Sequence, residues 1–106
     1  MKYKTQEQEI NKIFARYTKA MHMEKLRRDG YYNLLEEDEG EFTELKKFKK
    51  RVELTVAVMR PITKMFIKNS FLEKKDDCWW CNIYSRSTYY RYRRDAIEEF
   101  LYYFKV

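Results

Sequence analysis

Apolar residues recur three and four positions apart along most of this chain, the spacing that gathers them on one face of an α-helix. In residues 5–29 the series is Ile10, Ile13, Phe14, Tyr17, Ala20, Met21 and Met23, after which Asp29-Gly30 supplies a stop. In residues 41–59 it is Phe42, Leu45, Phe48, Val52, Thr55, Val56 and Met59. Val52, Leu54, Val56 and Val58 also alternate as a strand would, but the helix-forming flank and the lack of a hairpin partner favour helix. Pro61 disfavours helical geometry in Arg60 and suits the first turn of a new helix. Residues 61–72 therefore start afresh, with Ile62, Met65, Phe66, Asn69, Phe71 and Leu72 as a buried side. A short helix is expected over residues 76–81, capped by Asp76 or Asp77 and carrying Trp79 and Trp80. With the closing helix, this pattern predicts an all-α fold of about five helices in one domain, divided functionally at residue 60.

The closing stretch, residues 83–104, organises the rest. Ser85 can cap its first turn, and neither Gly nor Pro interrupts it. At helical pitch Tyr89, Tyr92, Ala96, Ile97, Phe100, Tyr103 and Phe104 share one side, while Ser87, Tyr90, Arg91 and Arg94 share the other. Arg86, Arg91, Arg93 and Arg94 precede the carboxylates Asp95, Glu98 and Glu99, so the cationic reach lies at the N-terminal end only. Arginine forks onto guanine, short hydroxyls reach phosphates and base edges, and a helix N-terminus attracts phosphate. Arg86, Ser87, Tyr90 and Arg91 are the expected base readers in a DNA major groove; Thr88, Arg93 and Arg94 are expected on the backbone. Arg93 falls inside the apolar stripe, where it snorkels or pairs with Asp76 or Asp77. The plainer alternative is a C-terminal helix with a solvated basic patch.

Charge agrees with a polyanionic partner. The net charge is +6 and the isoelectric point near 9.3, a balance that suits nucleic acid without separating it from an acidic protein. Lys46, Lys47, Lys49, Lys50 and Arg51 make either a second phosphate-contacting patch or a solvated face. The same helix is too short for a coiled coil but long enough to contribute to a dimer face. Tyr31, Tyr32, Leu34 and Leu35 form an apolar cluster, followed by Glu36, Glu37, Asp38, Glu39, Glu41 and Glu44. Without the ligand alternation of a calcium loop, those carboxylates fit an acidic loop leading into a helix N-terminus. No run is apolar enough to span a bilayer and no secretory segment opens the chain, so a cytoplasmic protein without membrane partners is expected.

Chemistry adds little. Cys78 and Cys81 have neither a second Cys pair nor more than the lone His22 to complete a zinc site, so reduced cysteines in a small buried turn are expected, with intermolecular zinc sharing the alternative. His22 reads as a surface or boundary residue. No Gly-rich phosphate loop, paired nucleophile and base, or metal-ligand set is present, so no enzymatic activity, cofactor or small-molecule substrate is expected.

Residues 66–101, FIKNSFLEKKDDCWWCNIYSRSTYYRYRRDAIEEFL, resemble the C-terminal part of the ArpU-like and RinA-like late transcription regulators of Gram-positive bacteriophages. More distantly they are similar to the helix-turn-helix of sigma-factor region four. The matching parts are an aromatic or aliphatic helix at residues 65–72, a second helix at 76–81, Ser85-Arg86-Ser87-Thr88, and the basic-Ala-aliphatic signature at residues 94–97. Asn82, Ile83 and Tyr84 stand where those families carry Gly or a small residue. The resemblance implies a helix-turn-helix in residues 61–106, double-stranded DNA as ligand and late-gene activation in a bacterial host cell. Residues 1–60 would then meet RNA polymerase or a second copy. A small terminase-like DNA-packaging role and a basic protein-interaction module without DNA binding are the alternatives.

Overall fold

A computed structural model describes residues 2–30 and 39–106. Within them the chain forms four α-helices and no strand: α1 Lys2–Arg28, α2 Glu39–Ala57, α3 Pro61–Ile67 and α4 Arg86–Lys105. A single π turn, Lys68–Leu72, continues α3. The expected cluster of Tyr31, Tyr32, Leu34 and Leu35, and the acidic stretch at residues 36–38, lie outside the described residues.

The local signals act where the sequence puts them. Gly30 ends α1 in the left-handed region at φ 88°, its amide donating to the Arg27 carbonyl. Pro61 opens α3 behind an extended Arg60. The expected fifth helix over residues 76–81 is instead a run of overlapping turns, closed by amides of Trp79, Cys81 and Ile83 onto carbonyls three residues back. Asp76 caps that run through its Oδ1, which accepts from the Cys78 amide at 3.2 Å. So few residues cannot nucleate a stable helix alone. Lys74, at φ 48°, turns left-handed before it.

α1 and α2 run antiparallel. Arg27 stacks over Phe42 at 3.8 Å near one end of the pair, Lys49 meets Glu24 at 3.4 Å, and the Tyr17 hydroxyl donates to Glu53 at 3.1 Å further along. Ile10, Phe14, Val52, Val56, Phe66, Ile67, Phe71, Ile97 and Phe100 join one core drawn from all four helices. Beyond it the α1–α2 pair carries only a small cluster of Ala20, Met23 and Leu45. Among the described residues α1 has a single neighbour there, α2, and Met21, expected inside, is 48% exposed. Glu7 and Glu9, two positions apart on α1, reach Arg93 at 2.7 Å and Lys105 at 2.8 Å, partners on the middle and the last turn of α4, so the two axes cross.

Glu99 keys α4 onto the start of α3. Its carboxylate accepts from the Arg60 amide at 2.8 Å, the Arg60 guanidinium at 2.6 Å and the Thr63 hydroxyl at 2.9 Å. Burial alone would raise the Glu99 pKa, but the hydrogen bonds from Arg60 and Thr63 outweigh it and the net shift is downward. A carboxylate with a lowered folded pKa stabilises fully above its unfolded value, and that contribution fades as pH falls through the folded one. Glu99→Gln is therefore expected to lower the melting temperature near neutral pH and to cost progressively less below the ordinary value of 4.5, measured by circular dichroism across pH. An equal loss at every pH would remove ionised Glu99 as the cause.

Candidate nucleic-acid interface

The first turns of α4 are held from below by stacked rings. Phe66, 1% exposed, lies 5.1 Å from Trp79, 5.6 Å from Tyr84, 5.7 Å from Tyr89 and 5.9 Å from Tyr92, centroid to centroid. Trp80 stacks flat on Tyr89 at 4.2 Å and ties back to the turn through its indole N–H, which donates to the Asp77 carbonyl. Each well-formed aromatic pair adds about 0.5–1.5 kcal/mol beyond the area it buries, so several pairs sharing one ring make a stiff mounting. Burial also pushes the Tyr89 phenol above its ordinary pKa, which keeps it neutral.

The helix start is capped as its sequence demands. Ser85 sits in extended geometry and its Oγ accepts from the Thr88 amide at 3.3 Å while donating to Thr88 Oγ1 at 2.9 Å. No carboxylate lies in the first turn, so the positive end of the helix dipole stands unopposed there.

On the outer face Arg86, Ser87, Tyr90, Arg91 and Arg94 are all exposed. Among the described residues Arg86, Arg91 and Arg94 have no ion pair; Arg91 lies 5.5 Å from the Tyr92 ring on its own helix. Thr88, spent on the cap, is half-buried. Arg93, expected on phosphate, is directed inward: its side chain is 16% exposed, 2.7 Å from Glu7 and over the Phe71 ring at 5.4 Å. The wheel had placed it in the apolar stripe, but its partner is Glu7 of α1 rather than Asp76 or Asp77. Nothing in the local sequence marks that pairing, because it requires α1 to cross α4. Tyr103, expected inside, is 42% exposed and Leu101 is buried in its stead.

Charge is thus partitioned along α4. Glu99 is spent on Arg60 and Arg93 on Glu7, which leaves a ridge of three arginines, one serine and one tyrosine at the N-terminal end. Such a ridge can neutralise phosphates and present bidentate donors to base edges.

The cysteines were expected in a buried turn, and here the expectation fails. Cys78 and Cys81 are free and exposed, while Trp79 and Trp80 between them turn toward Phe66 and Tyr89. The larger apolar surface of indole wins the core-facing positions. A hydrogen bond with Cys78 raises the Cys81 thiol pKa, which disfavours the reactive thiolate. The basic run of α2 is likewise dispersed: Lys49 pairs with Glu24 and Glu53, and Arg51 donates to the Phe104 carbonyl. No protein-family model matches the chain, and neither a curated protein nor a solved structure matches it.

Two substitutions test this mounting. Ser85→Ala removes the cap and is expected to cost about 1 kcal/mol in urea unfolding, with faster hydrogen exchange at the Thr88 amide. Phe66→Ala is expected to cost about 3–5 kcal/mol, since a ring is lost from the centre of a packed cluster.

Proposed function

We propose that the protein binds double-stranded DNA, laying the N-terminal half of α4 in the major groove. The observation that carries this reading is the exposure of Arg86, Arg91 and Arg94 without ion-pair partners on a helix whose opposite side is locked into the core. In this reading Arg86, Ser87, Tyr90 and Arg91 meet base edges and Arg94 meets phosphates flanking them, while Thr88 is reassigned from the DNA backbone to the Ser85 cap. Arg93 is reassigned from the DNA backbone to the Glu7 contact that holds the helix at its angle.

In this reading the helix pair serves as a lengthened helix-turn-helix. α3 with its π turn is the supporting element, α4 the reading element, and residues 73–85 the connection, against about three or four residues in the compact form of that motif. Trp79 on Phe66 of α3 and Trp80 on Tyr89 of α4 pack the connection against both neighbours. The resemblance to phage late regulators extends the proposal to transcription activation in a bacterial host, with RNA polymerase the partner of an activator.

Fluorescence anisotropy with a randomised duplex pool, then with selected sequences, tests the reading. Affinity is expected to fall steeply with salt, and Arg94→Ala to lower the slope of log affinity against log salt by about one. Arg86→Ala or Arg91→Ala should each cost about 1–3 kcal/mol on the selected site and relax base preference there. Arg93→Ala should leave the salt slope unchanged and lower the melting temperature instead. Affinity and slope indifferent to Arg86, Arg91 and Arg94 would end the proposal.

A further inference from the structure

At the far end of α4 the surface changes character. An open groove of about 480 Å³ runs between α2 and the last turn of α4. Leu54, Val58, Tyr103 and Val106 line it, exposed by 57%, 61%, 42% and 88%, over a floor that includes buried Thr55 and Phe104. Single exposed apolar side chains are ordinary, but four large ones around one concavity mark a contact surface. Leu54 and Val58 are one helical turn apart, so they present a continuous apolar ridge rather than scattered points.

The rim is cationic. Lys47, Lys50 and Arg51 border the groove, and no Asp or Glu side chain is among its lining residues. Lys47 has only a loose contact with Glu44, 3.8 Å away with both side chains largely exposed. Lys50 has no ion pair among the described residues. Arg51 is anchored by the Phe104 carbonyl and ring, which fixes its charge at the edge without cancelling it.

We infer that this groove docks an acidic amphipathic helix of a partner protein, with apolar side chains entering between Leu54, Val58 and Tyr103 and carboxylates meeting Lys47, Lys50 and Arg51. The apolar floor does not suit a nucleic-acid backbone, whose contacts are overwhelmingly polar and charged. A second copy docking face to face is disfavoured as well, because two-fold pairing brings the same three cations of each chain together around a dry centre. An anchor spacing of one helical turn together with complementary flanking charge is the chemistry of helix-in-groove recognition.

The position has a consequence for the DNA reading, on which this one step rests. Tyr103 lies about 25 Å along the same helix from Arg86, at 1.5 Å per residue. One rigid rod would then hold DNA at its N-terminal end and an acidic protein segment at its C-terminal end, the arrangement an activator needs to bridge a promoter and a partner.

The test is anisotropy of labelled synthetic helical peptides against the whole chain, without DNA. The panel carries Leu or Phe at i, i+3, i+4 and i+7 with Glu on both flanks, beside versions with Lys for Glu and with Ser for the apolar anchors. Saturable binding of acidic peptides only, at least tenfold weaker with Val58→Glu, weaker with Lys50→Glu and recovered for Lys50→Glu by the Lys-flanked peptides, is the expected result. No saturable binding by any acidic peptide overturns the inference. So does sedimentation showing a dimer that Val58→Glu dissociates, which would assign the groove to a second copy. Circular dichroism confirms that these surface variants fold. Duplex DNA affinity of Val58→Glu, expected unchanged, keeps this outcome separate from the fate of the DNA proposal.

Discussion

Everything offered at the surface of α4 depends on how its inner side is clamped, and the clamp centres on the Phe66 ring. Four aromatic rings from the connection and from α4 itself close on it, so the helix start is positioned by contacts that no single turn of backbone could make. The energy of such a cluster is dispersion and area burial, which are short-ranged and weaken quickly when a ring moves. A helix held this way presents its outer side chains at a defined angle, which is what separates a recognition surface from a mobile charged tail.

Around that clamp the carboxylates decide which cations are available. Glu7, Glu9 and Glu99 engage Arg93, Lys105 and Arg60, each joining elements far apart in sequence. Glu24 and Glu53 take Lys49 between α1 and α2. These contacts brace the fold and at the same time occupy cations with carboxylate partners. The ridge at Arg86, Arg91 and Arg94 carries charge outward because the acids on α4 begin at Asp95, below it. Glu99 is turned to the opposite task of holding the α3 entrance.

The two ends of α4 therefore differ in kind. Its first turns join an uncompensated dipole end to exposed guanidinium and hydroxyl groups. Its last turn joins apolar side chains to the basic edge of α2. Polyanionic backbone and acidic amphipathic helix, the two ligands proposed, are chemically distinct, and a continuous helix would let both act on one rigid body without a hinge between them.

Much of this was legible in one dimension. The spacing of Ile10, Ile13, Phe14 and Tyr17, the Pro61 start, the Gly30 stop and the Ser85 cap report local geometry, because each acts within a turn or two of its own position. The helical character and the hydroxyl and guanidinium face of α4 followed from the same short-range rules. Residues whose fate depends on a distant neighbour were not legible. The wheel put Arg93 inside the apolar stripe but not its partner, because Glu7 waits on a crossing helix; Leu101 displaced Tyr103 because the core closes on that side. Met21 was left exposed where α1, among the described residues, has one neighbour. Trp79 and Trp80 took the interior from Cys78 and Cys81 because Phe66 and Tyr89 offered rings to pack on. Sequence alone determined the four longer helical segments, since capping and periodicity act locally; tertiary packing decided that residues 76–81 stay a run of turns, which charges stay free and which rings go in, since ion pairing and burial are settled only when remote segments meet.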